Sequence, residues 1–320
     1  MGSVERLLAA VMCAVCAVPS SQSALRDASR LSGLPVRHTV PTANVSPARY
    51  RALFSQGGDP LAYARLGLPS SGQLPRAWYD VRTHRLFVQR GPMPGRRELM
   101  QEYVRALIDQ NFDLQRLAAL RARDHDRWSA AEAMVDGVAA LSSGLRAPGR
   151  PLAAQLRYIG GRAALSSALR TFPQSTEQLL HVDKFLEREP ALPIRLPARV
   201  RESALATSET FGELDVRNLL QAFHVPGAAR AAAGWGGGRL ARYGDVAVIV
   251  LRWDSAADAA EWQAAVPRYV AGAFPGAAVR TCPPLDACWG DVAAGVYGRT
   301  SVLASGPGSA DVAAALLQQG

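Results

Sequence analysis

The chain has 320 residues, 48% of them hydrophobic, and a formal net charge of +9. That is enough apolar material for a substantial core in one large or two ordinary domains, which excludes a disordered or fibrous chain. The charge would suit an anionic partner, yet Lys184 is the only lysine, the arginines are scattered, and no basic run is interleaved with aromatic residues. No nucleic-acid partner is expected from that pattern.

The N-terminus opens with a short charged region ending at Arg6, followed by the apolar run LLAAVMCAVCAV and then by Pro19 and small polar residues up to Ala24. This is the layout of a secretory signal peptide over residues 1–24, and the run is too short for a comfortable membrane span. The mature chain is therefore expected to be secreted or periplasmic, with no transmembrane domain. Cys13 and Cys16 form C-x-x-C, but inside the apolar core of a signal they read as discarded residues, and the residues before each fit a lipid-anchor signal poorly. Cys282 and Cys288 flank a Pro-Pro pair in TCPPLDACWG, and in an exported protein they are predicted to close a small disulfide loop. Two sulfurs with no adjacent His do not make a zinc site.

Residues 25–75, rich in Pro, Ser, Arg and Gly, read as an extended N-terminal arm with short helical pieces. AWYDVRTHRLFVQRG reads as a hairpin, and helical patterns follow over 95–121, 129–145 and 152–169. In FPQSTEQLLHVDKFLEREP, Ser175 or Thr176 is placed to cap a short helix that ends by Pro190. Residues 191–206 are punctuated by proline and read as a strand or linker, the candidate boundary. Beyond it come a helix over 211–223, the strand pair GRLARY and DVAVIVLRW, and a helix capped by Ser255 that Pro267 should kink or end. Strands over 293–297 and 301–304 and a last helix over 309–317 complete the chain. The expected class is α+β: a mostly helical core over 76–190, and over 191–320 a small antiparallel sheet with helices.

LMQEYVRALIDQNFDL reads as an amphipathic helix carrying Gln101, Glu102 and Arg105 where a zinc peptidase helix carries the three defining residues of H-E-x-x-H. Together with YDVRTHRLFV before it, AEAMVDGVAAL after it and FPQSTEQLLHVDKFL further on, it resembles a family of secreted bacterial HExxH metallopeptidase-like proteins of the gluzincin type. GWGGGRLARY and VAVIVLRWDSAADAAEW resemble that family's C-terminal β region. The resemblance runs from residue 78 to about 304 and implies a metallopeptidase-like core. It places the first zinc histidine on Gln101, the catalytic glutamate on Glu102, the second histidine on Arg105 and the third ligand on Asp136.

In such a site two imidazoles four apart on one helix face and a carboxylate from a later helix hold the metal, and the glutamate deprotonates its water. Gln offers only a weak neutral oxygen, and Arg stays protonated and brings a positive charge to the seat of a dication. No zinc is expected here. Arg105 is expected to stand in for the metal as a structural tie between Glu102 and Asp136. The resemblance makes His181 a candidate oxyanion stabiliser, against the plainer reading that it caps or packs a short helix. His125, between Asp124 and Asp126, reads as a solvated cap rather than a general base. His38, His84 and His224 show no local partners, and GWGGGR reads as a turn with a packed Trp235. The sequence thus points to an exported, catalytically inactive relative of these peptidases that serves as a binding or scaffold protein for a peptide, protein or envelope component. The alternative is an active hydrolase using Glu102 with a non-standard metal site or none.

Overall fold

A computed structural model describes residues 21–54, 59–68, 74–121 and 123–318. Most of the expected signal peptide, with Cys13 and Cys16, lies outside the described residues. Its last residues, 21–24, begin helix α1 (Ser21–Ser32). The chain divides into two compact units, one of residues 1–52, 75–114 and 139–145, the other of residues 53–74, 115–138 and 146–320.

The first unit contains α1, β1 (Thr42–Val45), most of α2 (Pro47–Phe54), β2 (Ala77–Asp80), β3 (Arg85–Gln89) and α4 (Arg96–Phe112). The hairpin of β2 and β3 pairs Ala77 with Val88 and Asp80 with Arg85, and β1 joins β3 in parallel to give the order β1-β3-β2. The helical pattern over 95–121 breaks after Phe112, because Asp113 takes a left-handed conformation and Asp109 accepts the Leu114 N–H just beyond it.

The second unit begins with α3 (Pro60–Arg65) and continues, past a short 3₁₀ turn, with α5 (Ala118–Arg121), most of α6 (His125–Ser143), α7 (Arg150–Arg170), α8 (Thr176–Leu180) and α9 (Val182–Glu187). Then come β4 (Arg199–Val200), β5 (Ser203–Thr210), α10 (Glu213–Ala222), α11 (Ala228–Ala232), β6 (Trp235–Tyr243), β7 (Val246–Trp253) and α12 (Ala256–Ala273). The unit closes with β8 (Val279–Cys282), β9 (Leu285–Trp289), β10 (Val292–Tyr297), β11 (Thr300–Ser305) and α13 (Ser309–Leu317). Gly160 and Gly161 interrupt α7, whereas Pro267 leaves α12 continuous.

The expectation of a small antiparallel sheet is overturned: β4 to β11 form one eight-stranded sheet in the order β4-β5-β6-β7-β11-β10-β9-β8, and only the coarse α+β class holds. The added strands carry weak signals. β5, SALATSET, is polar and only half-buried, and β8 and β9 lie in the Cys- and Pro-bearing stretch that reads as a loop. The Cys282–Cys288 disulfide is formed, with Cα atoms 6.0 Å apart, and ties β8 to β9. GWGGGR is not a turn either, since β6 starts at Trp235. Its glycines admit neighbouring backbone: a Cβ at Gly237 would lie 2.2 Å from the Leu192 carbonyl oxygen, and one at Gly238 2.1 Å from that of Phe211.

The sheet is covered on both faces, which explains the unbroken apolar run of β7. Ala247, Ile249, Leu251 and Trp253 pack on one side with residues of α3, α10, α11 and α12; Val246, Val248 and Val250 pack on the other with α13. Among the described residues no helix is long and apolar enough to cross a membrane.

Candidate functional site

On α4, Gln101, Glu102 and Arg105 are all buried. Four residues of helix rise about 6 Å, close to the spacing of alternate residues along a strand, so acids four apart can meet successive outward N–H groups of a sheet edge. That arrangement is realised at β2, the edge strand. Glu98 accepts the Arg76 and Ala77 N–H groups, and Glu102 accepts the Tyr79 N–H at 2.7 Å. The amide oxygen of Gln101 accepts the Ser143 hydroxyl at 2.7 Å. Seven residues beyond Glu102, Asp109 accepts the Tyr79 hydroxyl at 2.7 Å and lies 2.8 Å from His84 Nδ1. Burial and that acceptor push the Tyr79 hydroxyl above its ordinary range.

The other candidates lie in the second unit. Asp136 is half-buried on α6. His181 sits between α8 and α9 without a side-chain capping bond, and its Nε2 is 2.9 Å from Glu213 Oε1 at the start of α10. The Glu213 hydrogen bond raises the imidazole above its ordinary value, against the effect of burial. The donor set at the positions where the H-E-x-x-H resemblance would put ligands, an amide, a guanidinium and a single carboxylate, does not fit zinc.

A different trio, Glu177, Glu189 and Asp254, brings carboxylate oxygens within 4.8 Å of one another. The chain's only lysine fills it: Lys184 Nζ stands 2.9, 2.7 and 2.6 Å from the three acids. Burial would lower its basicity, but the three partners hold it protonated well above the usual lysine range.

Ser175 caps α8 as its type and position predict, accepting the Gln178 N–H. Beside it Asp126 is buried, not solvated, and its Oδ1 accepts both the N–H and the hydroxyl of Thr176 at 3.1 and 2.5 Å. Burial raises the Asp126 carboxyl to about 7. Gly212 packs so closely here that a Cβ would fall 1.7 Å from Asp126 Oδ1. His125 Nε2 is 3.7 Å from Asp215, and that partner, with Glu209 and Asp126, raises the imidazole despite its burial.

Next to this cluster lies an open cleft of about 490 Å³, walled by the α5–α6 turn, the start of α3, and β5 and β6. Its charged lining includes Arg121, Arg123, Arg239, Arg242, Asp59 and Glu209. Asp59 accepts the Leu61 and Ala62 N–H groups, the Thr207 hydroxyl and Arg242 Nε. These bonds outweigh its burial and hold it at about 2.

Residues 199–316 match a family model described as a domain of unknown function, DUF8575. The match spans the strands β4 to β11 and ends within α13, so it covers the large sheet and excludes α4. No curated protein and no solved structure matches the chain.

The sequence alone assigned no role to Asp109, Glu213 or the cage around Lys184, and it placed Asp126 in a solvated turn. Asp109 could have been found, since it lies two helical turns from Glu102 on the same face. The pairing of His181 with Glu213, 32 residues away, leaves no local trace.

Proposed function

We propose that this chain is an exported, catalytically inactive relative of the HExxH metallopeptidases that serves as a binding or scaffold protein for a peptide, protein or envelope component. It holds no zinc on α4. The observation that carries this reading is the engagement of Glu102: the carboxylate that the resemblance makes a general base accepts the N–H of Tyr79 and, with Glu98, fastens the free edge of β2. Gln101, bonded to Ser143, and the buried Arg105 support it from either side, because neither side chain offers an electron pair suited to a transition metal.

The test is metal analysis of protein purified without chelator, followed by a peptidase assay with zinc added and with Glu102→Gln as control. The expected result is no stoichiometric zinc and no turnover that the variant abolishes. One equivalent of metal tracking with Glu102-dependent cleavage would replace this reading with the hydrolase.

A further inference from the structure

The cleft between the α5–α6 turn and the strands β5 and β6 contains charges of both signs, and they differ in how they are satisfied. Every carboxylate on its wall is engaged by the chain itself. Asp59 takes four donors, Asp124 accepts the Arg127 N–H and the Thr210 hydroxyl, and Glu209 accepts the Tyr63 hydroxyl at 2.8 Å. Of the four arginines only Arg242 is ion-paired among the described residues, to Asp59 at 2.6 Å.

Among the described residues, Arg121, Arg123 and Arg239 have no carboxylate within ion-pair distance. Arg121 lies over the Trp128 ring, 4.8 Å from its centroid, a placement that orients the guanidinium plane while leaving its N–H edge open. Arg239 is steadied by one bond from Nε to the Ser208 hydroxyl at 3.0 Å, which leaves its terminal nitrogens available. The lining sets four arginines against the carboxylates of Asp59, Asp124 and Glu209, a small net positive charge, while Arg121, Arg123 and Arg239 keep donors that no carboxylate occupies at ion-pair distance among the described residues, and the cavity volume is in the range of small-ligand sites.

We infer that this cleft is a binding site for a small, multiply charged oxyanion, a phosphate ester or a polycarboxylate, held by Arg121, Arg123 and Arg239. Planar forks from a helix-flanking turn and from a strand can each donate paired N–H groups to such oxygens, and a ligand with charges at both ends bridges the two walls. The inference is independent of the reading of α4, since it uses residues of the second unit alone.

The experiment is calorimetric titration of the full-length protein with pyrophosphate and, separately, with citrate, at constant ionic strength. Saturable one-to-one binding of either probe is expected, and which one binds tells phosphate from carboxylate recognition. Arg123→Gln, at an exposed turn position where folding is undisturbed, should weaken binding about tenfold, and Arg239→Gln should do the same from the opposite wall. Arg157→Gln, an exposed site on α7 with the same change in net charge, should leave affinity unchanged. Absence of saturable binding of both probes at millimolar concentration would overturn the inference. So would equal weakening by Arg157→Gln and Arg123→Gln, which would mark a response to net charge alone.

Discussion

The α4 helix and the arginine-lined cleft are both rich in charge, and they use it in opposite ways. On α4 the half-buried Glu98 and the buried Glu102 and Asp109 act as fixtures: Glu98 and Glu102 secure a strand edge, and Asp109 gathers Tyr79, His84 and the chain just past the helix. In the cleft the carboxylates accept hydrogen bonds from the chain itself, while among the described residues three arginines have no direct ion-pair partner. A buried carboxylate within a motif-like pattern can therefore be part of the scaffold, whereas a surface arginine with no direct ion-pair partner keeps donors free for other contacts.

Mutation separates the two uses, because changing a buried fixture shifts stability strongly in one direction or the other and removing an exposed charge without an ion pair does not. The largest effect is expected at Lys184, the fixture at its most extreme. Lys184→Met leaves buried Glu177 facing Asp254 and Glu189 without a cation and should cost about 3–5 kcal/mol in denaturant unfolding.

Asp126 comes next and carries a pH signature. Its carboxyl titrates at about 7 in the fold against 3.8 when unfolded, so the folded state binds the extra proton between those values. Stability should accordingly fall as pH rises from about 4 to about 7 and level off above. Asp126→Asn should flatten that limb and gain about 3 kcal/mol at pH 8, the ionisation penalty of about 4 less about 1 for weaker hydrogen bonds. A profile unchanged in the variant would show that the carboxyl is ionised throughout.

Glu102→Ala should cost about 1–2 kcal/mol by leaving the edge N–H of Tyr79 without this acceptor, whereas Glu102→Gln, which keeps an acceptor, should cost less than half as much. Equal losses in the two variants would place the role of Glu102 in its charge. Smallest of all, Arg123→Gln should shift stability by no more than about 0.5 kcal/mol while weakening oxyanion binding. A large loss there would make the cleft a second set of fixtures and erase the contrast.

Local signals were legible where the chain's own periodicity decides the outcome. The β2–β3 hairpin, the Ser175 and Ser255 caps, the β6–β7 pair and α13 follow from spacing and residue type over a few positions. The larger sheet was not legible, because β5 packs a polar sequence at half burial and β8–β9 hide within a proline- and cysteine-bearing stretch. At the site, residue identity at 101, 102 and 105 was enough to question zinc, but not to assign Glu102 to a strand edge. That assignment needs the match between helical rise and strand spacing, which exists only once two elements are side by side.

The two-sided covering of the large sheet has a further consequence. β7 lies between β6 and β11, with α3, α10, α11 and α12 packed over one face and α13 over the other, so its amide hydrogens have no route to solvent short of cooperative opening of those layers. Deuterium should enter last at residues 247–251, and their exchange rate would report the global unfolding free energy of the layers around them. At β8, on the outer margin of the same sheet with Val279, Arg280 and Thr281 exposed, exchange should proceed through local fraying instead.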